Sequence, residues 1–202
     1  MDEKTIQTYN VMATEYDEET ADFWERFPPE IMDEFIKHLK VDEVGGNVLD
    51  VGSGPGRDAL ILENRGLKVT CLDASSAMIQ ICKDRGLNVV LGDFNDMQFA
   101  DKEFDGIWAY TSLLHVSKES IQKSMSEIAR VLKSGGIFGL GLIEGDFNDY
   151  RESSGMDKPR WFSFYTKEEI ENLLNKFNFE ILYFNQFKPA SKNYLNYIAR
   201  LK

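Results

Sequence analysis

The stretch LDVGSGPGRDAL, residues 49–60, contains three glycines within five positions, directly after an apolar run. Glycine loses more backbone entropy on folding than other residues, so this cluster indicates a need for unusual backbone angles or for bare backbone. The residues before the turn, NVLDVG at 47–52, are typical of a buried strand, and residues 57–64 after it have helical spacing. A strand, a glycine turn and a helix N-terminus together predict a place where a ligand contacts backbone N–H groups.

Strand and helix patterns alternate along the rest of the chain and predict an α/β fold. Further strands are predicted at 67–73, 87–93, 104–110, 136–143, 179–187 and 194–200, and helices at 75–85, 119–132 and 167–176. The last two strands are joined by only the six residues KPASKN, too few for a helical crossover, so they should pair antiparallel. The expected architecture is a seven-stranded, mostly parallel sheet with helices on both faces.

The N-terminal segment has a different pattern from this core. Apolar side chains recur there at helical spacing after Pro28-Pro29, at Ile31, Phe35, Ile36 and Leu39. We therefore expect a helical cap over residues 1–44 and an α/β core over residues 45–202, within a single domain spanning 1–202.

Residues 144–166, EGDFNDYRESSGMDKPRWFSFYT, have no clear apolar period. The sequence predicts a long irregular loop here, and loops of this length in compact domains usually act as lids or binding segments. At its end, Thr166 and Glu169 have the spacing of a capping box, which predicts the start of the following helix.

Composition restricts the classes of function. The formal net charge is −11 over 202 residues, which argues against nucleic acid as the partner because that affinity comes mainly from neutralising phosphates. No run of eighteen apolar residues and no signal-peptide pattern in MDEKTIQTYN are found, so we expect no membrane insertion and a cytoplasmic location. Cys71 and Cys82 lie inside apolar patterns, which favours reduced core thiols and no metal site.

The glycine turn has the pattern D-x-G-x-G-x-G, from Asp50 to Gly56. The dinucleotide fingerprint G-x-G-x-x-G would require a third glycine at position 57, where Arg57 stands. The observed pattern resembles that of the class I S-adenosylmethionine (SAM) dependent methyltransferases. Three more motifs follow in the order of that family, so the resemblance covers residues 47–143: VTCLDAS ending at Ser75, LGDFND at 91–96, and VLKSGGIF at 131–138, where Ser134 replaces the family's proline.

This resemblance implies the sheet order 3-2-1-4-5-7-6, with the last strand antiparallel, and SAM as the cofactor. Asp73 would accept hydrogen bonds from both ribose hydroxyls, which suits the two oxygens of a carboxylate. Asp50 would orient the turn and the methionyl amine. Arg57 would pair either with the methionyl carboxylate or with Asp58. The cofactor residues expected from the resemblance are Asp50, Gly52, Ser53, Gly54, Gly56, Arg57, Asp73, Ala74, Met78, Asp93, Phe94 and Tyr16.

Methyl transfer from a sulfonium is an in-line displacement, in which proximity and orientation can supply about 7–11 kcal/mol, so a dedicated base is optional. His115, in SLLHV, is a candidate base near neutral pH, with packing or loop tethering as the alternative role. Tyr110 is a second candidate at the reaction centre, because aromatic ring faces stabilise a cationic sulfur. The acceptor residues expected are Tyr9, Glu144, Arg151, Arg160 and Trp161.

The sequence is therefore interpreted as a SAM-dependent methyltransferase that acts on a small-molecule acceptor. Two alternatives stay open: a protein that binds SAM or its product without catalysis, and a methyltransferase that acts on a protein or a modified nucleotide. A nicotinamide oxidoreductase is disfavoured, because the third fingerprint glycine and an evident tyrosine–lysine pair are missing. The acceptor, its reacting atom and the oligomeric state stay open at this point.

Overall fold

The structure, a computed structural model, describes residues 2–27, 30–39, 45–153, 156–189 and 191–202. Its helices are α1 (Glu3–Val11), α2 (Ala13–Thr20), α3 (Phe23–Arg26), α4 (Glu30–His38), α5 (Arg57–Asn64), α6 (Ser76–Asp84), α7 (Ile121–Val131) and α8 (Lys167–Lys176). Its strands are β1 (Asn47–Val51), β2 (Lys68–Asp73), β3 (Asn88–Leu91), β4 (Phe104–Tyr110), β5 (Leu132–Ile143), β6 (Asn148–Ser153), β7 (Met156–Ser163), β8 (Phe179–Phe187) and β9 (Tyr194–Leu201). The expected Pro28-Pro29 break and cap boundary at residue 44 lie outside the described residues.

Seven of these strands form one sheet in the order β3-β2-β1-β4-β5-β9-β8. Strands β1 to β5 pair in parallel, and β9 runs antiparallel to both of its neighbours. The predicted order and the reversed last strand are confirmed, with β8 and β9 as the strands predicted sixth and seventh. β1 is buried over four of its five residues, as expected for a central parallel strand that is covered on both faces.

Helices cover both faces of this sheet, as predicted. On one face, α4 and α5 bury Phe35 and Leu62 in a cluster that includes Trp108 of β4. On the other face, α7 and α8 bury Met125 and Leu174 in a second cluster. No helix in the described ranges has both the length and the apolar composition needed to cross a bilayer.

Residues 144–166 do not form the irregular loop that the sequence predicts. Most of this segment is an antiparallel pair, β6 and β7, so that prediction is wrong. The outer edge of β7 bonds to side chains of α1: Trp161 N–H donates to Thr5 Oγ1 (2.8 Å), and Thr8 Oγ1 donates to the Pro159 carbonyl (3.0 Å). Because the backbone bonds are satisfied by one partner strand and two hydroxyls, the segment needs no apolar period to be ordered.

The glycine turn between β1 and α5 packs against the core through Gly56. Its φ is +84°, and a Cβ there would lie 2.4 Å from Leu87 Cδ1 and 2.9 Å from Cys82 Sγ. Any other residue would therefore strain the backbone and displace neighbouring side chains. Cys71 and Cys82 are buried free thiols, as the sequence predicts.

Asp58, in the first turn of α5, joins the N-terminal helices to the sheet. Its carboxylate accepts hydrogen bonds from the indole nitrogens of Trp24 and Trp108, each at 2.8 Å, and from Arg57 Nε at 2.7 Å. The residue is only 5% exposed, so its charge depends on these three donors for compensation. A single buried carboxylate therefore attaches α3 of the cap to β4 of the sheet.

We expect Asp58→Ala to lower the free energy of unfolding by about 3–5 kcal/mol, because it leaves a buried guanidinium and two indole N–H groups without their acceptor. Urea denaturation monitored by circular dichroism measures this change. Glu63→Ala, which removes an exposed carboxylate from the same helix, is the control and should change stability by less than about 0.5 kcal/mol. Equal effects of the two substitutions would contradict the role given to Asp58.

Candidate functional site

Two adjoining clefts open at the carboxyl ends of the parallel strands, the position where ligands bind in open α/β sheets. The inner cleft has about 620 Å³ of unfilled space, counted up to and including its open mouth. The outer cleft is larger, at about 1060 Å³. The two share part of their lining, namely Tyr9, Tyr16, Thr111 and His115.

The floor of the inner cleft is the glycine turn, and there Gly54 differs from Gly56. Gly54 has φ +54°, and a Cβ at this position would meet nothing closer than Tyr16 Cε1 at 3.8 Å. Its backbone therefore faces open space, where a ligand can approach the main chain.

Asp73, the last residue of β2, lies beside this turn. Its Oδ2 accepts from Gly54 N–H (2.9 Å) and its Oδ1 from Ser75 N–H (2.8 Å). Burial raises the pKa of the carboxyl to about 6, although backbone N–H groups of Ser75, Gly54 and Ala74 act in the opposite direction. Each oxygen keeps acceptor capacity towards the cleft, since a carboxylate oxygen has two lone pairs.

Asp50, near the end of β1, supplies an acceptor atom that the fold leaves unsatisfied. Its Oδ2 is buried and has no hydrogen-bond partner among the described residues, although Asp50 lines the inner cleft. Burial, followed by the nearby Asp58 carboxylate, raises the pKa of Asp50 well above its usual range. A cationic donor entering the cleft would satisfy this oxygen and favour its ionised form.

The lining of the inner cleft fits the cofactor that the resemblance implies. Asp50 offers an acceptor suited to an amine, Asp73 offers oxygens suited to a diol, and Gly54 leaves room for a ligand along the backbone. The remaining expected residues that line the inner cleft are Gly52, Ser53, Arg57, Met78, Phe94, Tyr16 and Tyr110. Met78 and Phe94 give the cleft an apolar part, as an adenine ring requires.

Four of the expected cofactor residues have other roles in this geometry. Gly56 is absent from the lining of the inner cleft, contrary to expectation, because it packs against Leu87 and Cys82. Arg57 pairs with Asp58, one of the two partners that the sequence leaves open. Ala74 contributes its backbone N–H to Asp73. Asp93 is absent from the lining of the inner cleft, contrary to expectation, because its carboxylate stabilises the next turn by accepting from Asn95 N–H (2.8 Å). Phe94 reaches the cleft in its place.

His115 belongs to a hydrogen-bonded chain between the two clefts. Its Nδ1 lies 2.6 Å from the Trp161 carbonyl oxygen, which can only accept, so Nδ1 carries the proton. Its Nε2 therefore accepts from Tyr9 O–H at 2.8 Å, and the Tyr9 oxygen in turn accepts from Arg160 at 2.7 Å. Burial and the Arg160 charge lower the pKa of His115 to about 3, so the ring is neutral at physiological pH.

Tyr110, the other candidate at the reaction centre, forms a wall of the inner cleft. Its ring stacks on Trp108, with centroids 5.5 Å apart and planes at 9°, and it also contacts Trp24. Burial raises the pKa of its hydroxyl well above the ordinary value. Tyr110 therefore offers an aromatic face and is a poor proton acceptor.

The expected acceptor residues divide between the outer cleft and other positions. Tyr9 and Arg160 line the outer cleft. The side chains of Glu144 and Trp161 line neither cleft, contrary to expectation: Glu144 accepts from Asn193 Nδ2, and the Trp161 indole donates to Ser163 Oγ. The Trp161 carbonyl oxygen bonds to His115 and fixes its tautomer.

Arg151, on β6, is exposed, and its guanidinium lies 5.6–5.9 Å from the rings of Phe147, Phe162 and Phe164. It is absent from the outer-cleft lining, but its charge contributes to lowering the pKa of Lys192, which is part of that lining. Arg151 is thus close enough to act on the cleft electrostatically.

Sequence reasoning missed other residues of these clefts. Thr111, which lines both, has φ +57°, a conformation that is rare for a β-branched residue and is often found at functional sites. Lys192, between β8 and β9, lines the outer cleft far along the chain from the other cations. No local motif distinguishes either residue. Asp58 was expected only as a possible partner of Arg57. Its position beside Arg57 in the first helical turn was the one sequence signal for its role.

Comparisons with known proteins agree with this architecture. A family model described as a methyltransferase domain matches residues 49–140. An uncharacterised protein of Methanocaldococcus jannaschii is 29% identical over 165 residues, which cover 78% of this chain and 77% of that protein. Sarcosine/dimethylglycine N-methyltransferase of Aphanothece halophytica is 35% identical over 105 residues, 46% of this chain and 36% of that enzyme, so the match spans about a third of that relative.

A solved structure has the same fold. It is the 1,6-didemethyltoxoflavin-N1-methyltransferase of Burkholderia thailandensis, with 1,6-didemethyltoxoflavin and S-adenosylhomocysteine bound. The TM-score is 0.73 at 21% sequence identity, over 98% of this chain and 88% of that chain.

The raised pKa of Asp73 predicts a pH dependence of stability. Between about pH 4 and 6 the unfolded state ionises at this residue before the folded state does, so its contribution to stability falls as the pH rises. At 1.36 kcal/mol per pKa unit the loss is about 3 kcal/mol at most. We expect Asp73→Asn to remove this component, so that the stability difference between wild type and variant changes over that pH range.

Urea denaturation at closely spaced pH values measures this difference. Asp84→Asn, at the exposed end of α6, is the control and should follow the wild-type pH dependence. A constant difference between wild type and Asp73→Asn from pH 4 to 7 would contradict the assignment.

Proposed function

We propose that the chain, whose residues 49–140 match a methyltransferase-domain family model, is an S-adenosylmethionine-dependent methyltransferase that transfers a methyl group from SAM to a small-molecule acceptor held in the outer cleft. The observation that carries this proposal is the buried Oδ2 of Asp50, which has no hydrogen-bond partner in the part of the chain that the structure describes, beside the Asp73 carboxylate and the open backbone of Gly54. These three features supply, in one cleft, acceptors for an amine and a diol and space for a ligand along the main chain.

The bound cofactor would supply a methyl group on a positively charged sulfur, already activated for displacement. In our proposal Asp50 holds the amine, Asp73 the ribose hydroxyls, and Met78 with Phe94 the adenine. Tyr16 and Tyr110 present aromatic groups in the same cleft, which suits a nearby cation. The chain's contribution to the rate is then mainly orientation of the acceptor, with water excluded by the surrounding rings.

Three observations support a small acceptor. The outer cleft is concave and adjoins the inner cleft through four shared residues. Two of the relatives are named for small acceptors, sarcosine or dimethylglycine in one and 1,6-didemethyltoxoflavin in the other. The net charge of −11 disfavours nucleic acid.

We further infer that residues 1–202 act as one domain. We also infer a cytoplasmic location, because buried free thiols are typical of a reducing compartment.

We assign His115 a positioning role rather than that of a base. Its neutral ring and the bond from Tyr9 O–H leave it little capacity to accept a further proton. The chain Arg160–Tyr9–His115–Trp161 instead holds the Tyr9 ring between the two clefts. An acceptor that needs no enzyme base, such as a carboxylate, a thiolate or a neutral amine, fits this arrangement.

We expect the protein to bind S-adenosylhomocysteine, with Asp73→Ala weakening the affinity by about 1.5–3 kcal/mol, because charged hydrogen bonds to the ligand are lost. Isothermal titration calorimetry with S-adenosylhomocysteine, SAM and NAD measures the affinities. Asp84→Ala is the matched control, since it removes an exposed aspartate from α6 outside the clefts, and it should bind as the wild type does.

Unchanged affinity in Asp73→Ala would remove this residue from the site. Binding of NAD in place of SAM would overturn the proposed function. Transfer of radiolabelled methyl groups to a panel of small thiols, amines, phenols and acids tests catalysis. Cofactor binding without transfer to any of them would instead favour a protein that binds SAM without catalysis.

For an acceptor that does not itself titrate between about pH 7 and 9, we expect kcat to be constant over that range. The reason is that His115, with a pKa of about 3, is neutral throughout, and burial keeps the Tyr9 pKa above its ordinary value. His115→Asn should lower kcat without introducing pH dependence, because the Tyr9 ring loses its hydrogen-bond acceptor. A wild-type limb with an apparent pKa near 6 to 7 that disappears in His115→Asn would identify His115 as a base.

A further inference from the structure

The outer cleft carries positive charge in a strongly acidic chain. Its charged lining residues are Arg160, Lys192, Arg26 and Glu19. Arg26 forms an ion pair with Asp22 at 2.7 Å, and both Arg26 and Glu19 lie at the exposed side of the cleft. Arg160 and Lys192 therefore dominate its interior, although the formal net charge of the chain is −11.

These two cations lie together with a third. Arg151 and Arg160 lie opposite each other in the β6–β7 pair. Partial burial lowers the pKa of Lys192, and the charges of Arg151 and Arg160 lower it further, so Lys192 is close enough to both arginines to be repelled by them. Within the described residues, Lys192 has no ion-pair partner, and neither has Arg151. Basic groups held together in this way favour binding of an anion that offsets their repulsion.

The outer cleft also has an apolar, largely aromatic part, beside the polar groups of Tyr9, Tyr16, Thr20, Thr111 and His115. This apolar part consists of Phe23, Phe27, Leu114, Ile143, Phe162 and Tyr194. Such a surface holds a flat apolar body, since aromatic rings stack against it and lose unfavourable contact with water. A purely polar anion would leave these six side chains without a partner.

We propose that the methyl acceptor is an organic carboxylate with an apolar, planar body, whose charge pairs with Lys192 and Arg160 while its body packs on the rings of the outer cleft. This inference rests on the proposed function, because it names the substrate class of the same site. Arg160 then has two functions, since it also holds the Tyr9 hydroxyl at 2.7 Å. Lys192 serves as the anion anchor.

The test uses three matched pairs of acid and amide: benzoate and benzamide, 1-naphthoate and 1-naphthamide, indole-3-acetate and indole-3-acetamide. Each compound is titrated calorimetrically into the full chain saturated with S-adenosylhomocysteine. We expect at least one acid to bind more tightly than its amide, and expect added salt to reduce this preference. Equal affinity within every pair, tighter binding of the amides, or no binding of any compound would overturn the inference.

A pair of lysine variants assigns the effect to the outer cleft. Lys192→Met keeps the length of the side chain and should weaken binding of the acid about fivefold, the size of a partly screened ion pair, while leaving its amide unchanged. Lys188→Met removes the same charge from an exposed position in the same connection and should change neither affinity. Equal weakening by both variants would show a long-range charge effect and overturn the anchor role of Lys192.

Failure of this inference is distinguishable from failure of the proposed function. A separate titration with S-adenosylhomocysteine alone precedes the acid and amide series. Absence of that binding would overturn the proposed function. Normal cofactor binding with no preference for acids would overturn only the substrate class.

Discussion

The carboxylate of Asp73 holds together the part of the molecule on which both clefts depend. It accepts the N–H of Gly54 from the turn after β1 and the N–H of Ser75 before α6, so it joins two βα connections at the centre of the sheet. The first of these connections is the floor of the inner cleft. Helix α1 attaches to the second, because Asn10 Oδ1 accepts from Ser75 Oγ (2.8 Å) and Ala77 N–H (3.2 Å). The same carboxylate therefore orders the floor of the inner cleft and one attachment of the helix that carries Tyr9.

Helix α1 links elements that are far apart in the sequence. Thr5 and Thr8 bond to β7, Tyr9 bonds to His115 after β4, and Asn10 bonds at the N-terminus of α6. Asp58 makes a separate attachment through Trp24. Polar side chains make these contacts in a partly buried setting. The strength of each contact therefore depends on its hydrogen-bond geometry more than on the apolar area that it buries. The N-terminal helices are thus positioned by specific hydrogen bonds as well as by packing, and they define the boundary between the two clefts.

The sequence predicted most of the core fold, because β1, β4 and β8 are apolar runs bounded by turn residues, α5 has helical spacing, and α8 begins with a capping box. It missed the β6–β7 pair, whose order comes from α1 and not from its own pattern. In the site, local motifs located Asp50, Gly54, Asp73 and Phe94. They could not locate Lys192 or Thr111, whose roles arise only when separate connections meet at one edge of the sheet. Glu144 and Trp161 were expected in the acceptor site from position alone, but local partners determine where their side chains lie.

Several features of the clefts reduce the stability of the fold. Asp50 buries an oxygen without a partner, Thr111 has an unfavourable backbone conformation, and Lys192 lies near two other cations. Such costs persist in a folded protein when the surrounding structure holds the groups in place, and they concentrate where ligands bind. A cationic amine would relieve the first and an anion the third, so ligand binding and folding stability are coupled through the same atoms. The two clefts therefore favour ligand groups of opposite charge: the inner cleft favours the cofactor's amine, and the outer cleft favours the acid of an acceptor. This discrimination by charge requires no change in the shape of either cleft.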